Sequence, residues 1–265
     1  MKRILFTGSA MLFAMLASAQ LTQGTVTYDR TVQMQMQING DDGGPPVART
    51  RSDKFELSFG DNKSLWKQAE KENDDADNFS QGGGAQVRMV VAGSDDVLFN
   101  DFTTHKSTEL RVFMDKKFIV DDSTRPLKWK IGEETKTILN HVCRVATATS
   151  VSSRMTMNIN NGVMEKKEVP DTSVVTAWFA ADIPAPAGPA IYQGQLPGLI
   201  LALDVNNGRV VYRAVEISEK VNLASIKEPT GKKHYTAAEF RKERDKIMED
   251  LQQNSRGGNV QIRMN

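Results

Sequence analysis

Two residues on one short segment have the chemistry of a reactive or metal-binding site. His141 and Cys143 are two positions apart, so on a β-strand both side chains would project from the same face. An imidazole can activate a neighbouring thiol as a nucleophile. However, Cys143 is the only cysteine, and an unpaired cysteine is most often a buried, inert residue. We therefore expect no catalytic residue in this pair.

The same segment also supports a metal hypothesis. Met155 and Met157 alternate in the same way, so on a strand they too would share a face. Thiolate, imidazole and thioether groups are the ligands that soft ions such as Cu(I) prefer. Methionine is equally typical of adaptable core packing. The candidate metal ligands are Cys143, His141, Met155 and Met157.

The start of the chain has the three parts of a signal peptide. Lys2 and Arg3 precede an apolar run over residues 4–16, and three small residues follow at 17–19. The run is shorter than the ~20 residues that a membrane-spanning helix needs. We predict a signal peptide over residues 1–19, and hence an exported, soluble protein in the periplasm or outside the cell. No cysteine lies near the predicted cleavage site, so we do not expect a lipoprotein.

Charge and motif content narrow the classes of function. The 265 residues include 34 Lys and Arg and 33 Asp and Glu, for a formal net charge of +1. Such a balance gives no electrostatic basis for binding nucleic acid, so we exclude nucleic acid as a partner. We identify no second apolar run that could span a membrane, no cofactor motif and no hydrolase motif. We therefore expect no cofactor and a non-enzymatic function.

Most of the chain has the residue pattern of β-strands. The alternation over residues 23–38 predicts a strand with one buried face. Apolar segments flank Asn206-Asn207-Gly208, a turn sequence that predicts a hairpin over residues 199–217. Further strand-like runs lie at 54–59, 87–91, 109–114, 117–120 and 136–149. The predicted fold is mainly β: a curved antiparallel sheet or partial barrel.

One helix is predicted near the end of the chain. Thr236 and Glu239 have the spacing of a capping box, and the residues after them carry a narrow apolar stripe. We predict a helix over residues 236–253 that packs on the sheet. A single β-rich domain would then cover residues 20–253, followed by a polar tail over 254–265.

A series of motifs resembles one family of exported proteins. The series is Ala177-Trp178-Phe179, Asp182-Ile183-Pro184, Ala187-Gly188-Pro189 and then Gly194-Gln195-Leu196-Pro197-Gly198-Leu199-Ile200-Leu201. It resembles the GLPGLI family of Bacteroidetes, as does the segment Asn140–Ala146 with its cysteine. Gln195 stands where that family usually has glycine. The resemblance implies an exported envelope protein, and it carries no settled biochemical activity.

The central motif has a structural interpretation. Pro197 presets φ near −65° and Gly198 tolerates positive φ, which together fit the middle of a type II turn. The apolar residues after the turn would enter the most buried strand. The residues assigned to this structural turn are Gly194, Leu196, Pro197, Gly198, Leu199 and Ile200.

Three hypotheses on function follow. The leading one is a non-enzymatic binding or accessory protein of the cell envelope, whose partner is an unknown envelope protein or a small apolar ligand. A curved sheet with a helix across it can enclose such a ligand. The alternative is copper or soft-metal handling. An unrecognised hydrolase ranks third, because no nucleophile–base motif or pair of acidic residues supports it.

Overall fold

A computed structural model describes residues 21–36, 47–69, 96–123, 126–160 and 163–256. The predicted signal peptide and the strand-like run at 87–91 lie outside these ranges. So does most of the predicted polar tail. Within the described ranges the fold is mainly β, as predicted, with one α-helix and two short 3-10 helices.

Twelve strands form in the described ranges. They are β1 (Gly24–Met36), β2 (Val47–Gly60), β3 (Lys63–Gln68), β4 (Val97–Asp101), β5 (Lys106–Phe113) and β6 (Lys116–Ser123). They continue with β7 (Lys130–Ile138), β8 (His141–Asn160), β9 (Val163–Ala180), β10 (Leu199–Val205), β11 (Val210–Ser218) and β12 (His234–Thr236). The helix α1 (Ala237–Arg256) follows directly. The predicted strand over 136–149 is divided in two by a turn, because Leu139 and Asn140 have positive φ.

All twelve strands belong to one sheet. Their order is β12-β6-β5-β4-β3-β2-β1-β11-β10-β9-β8-β7, and every neighbouring pair is antiparallel except β12 and β6. Ser150 of β8 and Glu109 of β5 line the same cavity, although seven strands separate β8 from β5 in this order. In a flat sheet they would be roughly 35–40 Å apart. The sheet is therefore strongly curved, as predicted, and it remains open between β12 and β7.

The main core lies on the concave face. Strand register places Leu57 opposite Val26 and Trp66, and Trp66 opposite Leu98. These four side chains share one face and are buried. The indole of Trp66 also stacks on Phe55, with ring centroids 5.0 Å apart.

Residues 181–198, here called the inner loop, connect β9 to β10 across this concave face. Gln193 is buried, and its Oε1 accepts a hydrogen bond from Ser64 Oγ of β3 at 2.6 Å. Gln195 Oε1 accepts hydrogen bonds from Leu127 N and Trp129 Nε1, both at 2.9 Å. The inner loop therefore occupies part of the space in which the sequence predicts an apolar ligand.

The predicted type II turn at Pro197-Gly198 is wrong. In this stretch positive φ occurs at Ala190 (49°) and Gly194 (73°), and not at Gly198. Gly198 is required for space instead, because a Cβ there would collide with the carbonyl oxygen of Ala180. The motif does lead into a buried strand, since the first five residues of β10 are all buried.

Two local predictions are confirmed. Asn206, Asn207 and Gly208 all have positive φ and connect β10 to β11 as a hairpin. At the start of α1, Thr236 N donates to Glu239 Oε2 at 2.8 Å and Glu239 N donates to Thr236 Oγ1 at 3.2 Å. This is the reciprocal pattern of a capping box.

The helix packs on the sheet as predicted, and it extends to residue 256. Phe240 is buried against Phe118 of β6, with ring centroids 5.2 Å apart. Val120 of β6 completes this smaller core. Across the described ranges, no helix combines the length and the apolar character needed to span a bilayer.

Candidate functional site

A cavity of about 670 Å³ lies at one end of the sheet. We call it the His141 cleft. It forms where the turn between β7 and β8, the start of the inner loop and strand β11 meet. Its lining residues are Leu21, Leu139, Asn140, His141, Asp182, Ile183, Val215, Glu216, Ile217 and Glu219.

A hydrogen bond between His141 and Asp182 forms one wall of the cleft. Cys143 of β8 pairs with Ala180 of β9, so continuing this antiparallel register places residue 141 opposite residue 182. The Nδ1 of His141 is 2.7 Å from Asp182 Oδ2. The carboxylate therefore fixes the orientation of the imidazole at the cleft wall.

Cys143 lies beneath this wall and does not pair with the imidazole. Its side chain is fully buried, and its Sγ is 3.6 Å from the carbonyl oxygen of His141. Burial, with a smaller contribution from the nearby Asp182 carboxylate, raises the pKa of the thiol to about 11. The thiol is therefore protonated at neutral pH, which disfavours it as a nucleophile and as a metal ligand.

Burial and the raised pKa predict a thiol that reacts only after unfolding. In the native protein at pH 8, Cys143 should react with iodoacetamide at least 100-fold more slowly than in the same protein in denaturing urea. Mass spectrometry of the alkylated fraction over time measures both rates. Labelling of the native protein at the rate of the unfolded chain would contradict the burial of the thiol.

The four candidate metal ligands are not brought together. Met155 lies twelve residues beyond Cys143 on the same strand, β8, which corresponds to about 40 Å along an extended chain. Met157 lies further still, and the side chains of both methionines fall outside the described part of the structure. In the part that is described, no three His, Cys, Asp or Glu side chains form a group that could hold a metal ion. Copper binding by a subset of the four stays a prediction.

The residues of the central motif lie away from the cleft. Leu196, Leu199 and Ile200 are buried in the main core, and Pro197 is exposed. Gly194 adopts positive φ and donates its N–H to Pro186 O at 2.6 Å. None of the motif residues is among those lining the His141 cleft.

The cleft combines an apolar wall with several acidic groups. Five of its lining side chains are apolar, and Val215 remains 42% exposed. Asp182, Glu216 and Glu219 supply three carboxylates against one imidazole. None of the described lining residues is Ser, Thr, Cys or Lys.

His141 was predictable as a candidate residue from the sequence, whereas the acidic residues of the cleft were not. Asp182 is 41 residues away in the chain, and Glu216 and Glu219 are further still. The only sequence signal for Asp182 was its place in the motif series. Strand register and sheet curvature, and not spacing in the chain, bring these residues to His141.

Comparison with known proteins identifies one family over part of the chain. A family model described as "Protein of unknown function (Porph_ging)" matches residues 129–202. This part of the chain is similar to an uncharacterised family. The matched segment contains Trp129, His141 and Cys143 and reaches through the central motif into β10. The GLPGLI name itself stays a resemblance.

Two solved structures of PNGF-II show a distant likeness. The structure in space group P21 has a TM-score of 0.49 and 15% sequence identity, and the one in C2 has a TM-score of 0.47 and 17% identity. Each comparison covers 83% of this chain but only 32% and 33% of the solved chains. The chain thus spans about a third of their length, and a likeness this distant carries no information on function. No curated protein shows a significant sequence match.

Proposed function

We propose that this protein is a non-enzymatic binding or accessory protein of the cell envelope, exported to the periplasm or beyond it. The His141 cleft is its binding site. The observation that carries the proposal is the combination, in one cavity of about 670 Å³, of apolar walls and three carboxylates. Cavities of this size are typical of sites for small ligands or short peptide segments.

The chemistry of the cleft favours a partner segment that is both apolar and positively charged. A purely apolar ligand would bury Asp182, Glu216 and Glu219 without a compensating charge, and such desolvation is unfavourable. A basic side chain would pair with these carboxylates, while a neighbouring apolar residue would cover Leu139 and Val215. The occupant proposed here is therefore a basic-apolar segment of another protein, and it replaces the small apolar ligand that the sequence suggested.

Export is supported by the sequence pattern of residues 1–19. N-terminal sequencing or intact mass of the protein recovered from its native host provides a direct test. A mature chain that begins at Gln20 is expected. Recovery of the chain with Met1 still attached would contradict export through this signal.

The binding proposal is tested with defined peptides. Three fluorescent ten-residue peptides would alternate leucine with lysine, serine or glutamate, and fluorescence anisotropy would measure the Kd of each. We expect the lysine-leucine peptide to bind at least tenfold more tightly than the other two. Its binding should also weaken as salt rises, because the charged rim is exposed to solvent.

Charge-neutralising variants locate the site. The double variant Glu216→Gln/Glu219→Gln should weaken binding of the lysine-leucine peptide about tenfold. The matched control, Glu243→Gln/Glu249→Gln, removes two carboxylates from α1 at the other end of the sheet and should leave the Kd unchanged. Equal losses in both variants, or equal binding of all three peptides, would show that the cleft does not select its partner by charge.

A further inference from the structure

A second cavity, of about 180 Å³, lies on the concave face between strands β4–β6 and the inner loop. We call it the inner cavity, and it shares no lining residue with the His141 cleft. Most of its side chains are polar, although the neighbouring concave face is apolar. They are Leu98, Asn100, Ser107, Glu109, Arg111, Asp122, Leu127, Ser150, Ile191, Tyr192 and Gln195.

Strand register builds the polar floor of this cavity. Asn100 of β4 pairs with Ser107 of β5, and Ser107 pairs with Asp122 of β6. Glu109 and Arg111 follow Ser107 at alternate positions on β5, so all five side chains face the same side of the sheet. This is the side that carries Leu98 and the main core. A row of polar side chains here breaks the apolar pattern of the concave face.

Asn100 is the decisive residue of the floor. It is 95% buried, with 5% of its surface exposed, and its Nδ2 has no hydrogen-bond partner among the residues that the structure describes. An unpaired buried donor costs about 1–3 kcal/mol relative to a paired one. Asn100 lines the inner cavity, and a ligand there whose acceptor atom reaches Nδ2 would remove this cost.

The other polar groups define what else the ligand must offer. Glu109 accepts a hydrogen bond from Arg111 Nε at 2.7 Å, and burial raises the pKa of its carboxyl. Asp122 adds a second carboxylate to the lining. The phenol of Tyr192 is partly buried, and burial raises its pKa to about 12, so it stays protonated as both a donor and an acceptor. The ligand therefore needs donors as well as acceptors.

We propose that the inner cavity binds a small, neutral, polyhydroxylated molecule, the chemistry shared by polyols and monosaccharides. A hydroxyl group accepts one hydrogen bond and donates another, so adjacent hydroxyls can offer an acceptor to Asn100 and a donor to a carboxylate of the lining. An anion would face two carboxylates and one guanidinium, and an apolar ligand would leave Asn100 unpaired. The volume corresponds to about six water molecules, which suits one small polyol.

The test uses the full chain and three named probes: glycerol, myo-inositol and glucose. Saturation-transfer difference NMR should show transfer from the protein to at least one of them, and a titration should give its Kd. Succinate serves as the anionic comparison and should show no transfer. Asn100→Leu replaces the amide by an apolar group of similar size and should weaken polyol binding at least tenfold.

Two further measurements distinguish a loss of polyol binding from a loss of folding and from any effect of the His141 cleft. Asn100→Leu should have a Tm equal to or above that of the wild type, because it removes an unpaired buried donor. Glu216→Gln/Glu219→Gln should leave polyol binding unchanged while it weakens peptide binding. The proposal is overturned if no probe shows transfer, if Asn100→Leu binds polyol as tightly as the wild type, or if succinate binds more tightly than the polyols.

Discussion

Replacing Gly198 with alanine is expected to lower the free energy of unfolding by about 3 kcal/mol. The added Cβ would collide with the carbonyl oxygen of Ala180 and would lie 3.2 Å from Cδ2 of Phe179. The carbonyl oxygen of Ala180 is a backbone atom at the paired end of β9, so it cannot move aside as a flexible side chain would. Overpacking of a buried position then displaces the junction between the inner loop and β10.

Urea unfolding followed by tryptophan fluorescence measures this effect. Gly208→Ala is the matched control, because Gly208 has positive φ (96°) and an added Cβ there would meet only the end of a flexible side chain, Gln33 Nε2 at 3.4 Å. Backbone strain alone should cost the control about 1 kcal/mol. Equal losses in the two variants would mean that the close approach to Ala180 is not what requires glycine in the motif.

Asp53→Asn is expected to lower the free energy of unfolding by about 3 kcal/mol at pH 7. The carboxyl side chain of Asp53 is only 3% exposed. It accepts hydrogen bonds at 2.8 Å from Arg30 Nη2 and from Arg51 Nη2. Neutralising it would leave two largely buried guanidinium groups without a counter-charge.

The same site predicts how stability depends on pH. Burial opposes ionisation of Asp53, but hydrogen bonds and charges from Arg30 and Arg51 outweigh it and hold the pKa below its usual value. A lowered folded-state pKa stabilises the fold above the unfolded pKa of about 3.9. This contribution is lost as pH falls toward the folded-state value. The difference in stability between wild type and Asp53→Asn should therefore shrink below pH ~4.

An exposed pair on the adjacent strands is the control for Asp53. Glu56 Oε1 and Lys67 Nζ are 3.4 Å apart, with side chains 39% and 44% exposed. Glu56→Gln should change the free energy of unfolding by less than about 1 kcal/mol, because water screens such pairs. Urea unfolding at pH 7, 5 and 3.5 compares the three proteins. A constant difference between wild type and Asp53→Asn across this range would contradict the pH prediction.

Features that depend on neighbours in the chain were predictable from sequence. The hairpin around Asn207-Gly208 forms because these residues tolerate positive φ. The capping box of Thr236 and Glu239 forms because the two residues are three positions apart. Alternating apolar residues similarly indicated a mainly β fold, since one face of each strand must be buried. One local inference failed at Gly198, where the restriction comes from Ala180 on another strand.

The candidate sites depend on contacts between residues far apart in the chain. His141 meets Asp182 only because β8 and β9 pair in one particular register. Asn100 and Ser150 line the same cavity because the sheet curves. Neither register nor curvature has a signature at fixed spacing in the sequence.

His141 and Cys143 show the same difference between what local sequence determines and what tertiary contacts determine. The sequence alone determined that His141 and Cys143 would share a strand, since that requires only local patterning. Only the tertiary structure decided that the imidazole would pair with Asp182 and that the thiol would be buried beneath it. The physical reason is that hydrogen bonding, burial and pKa depend on which groups the folded chain brings within a few ångströms.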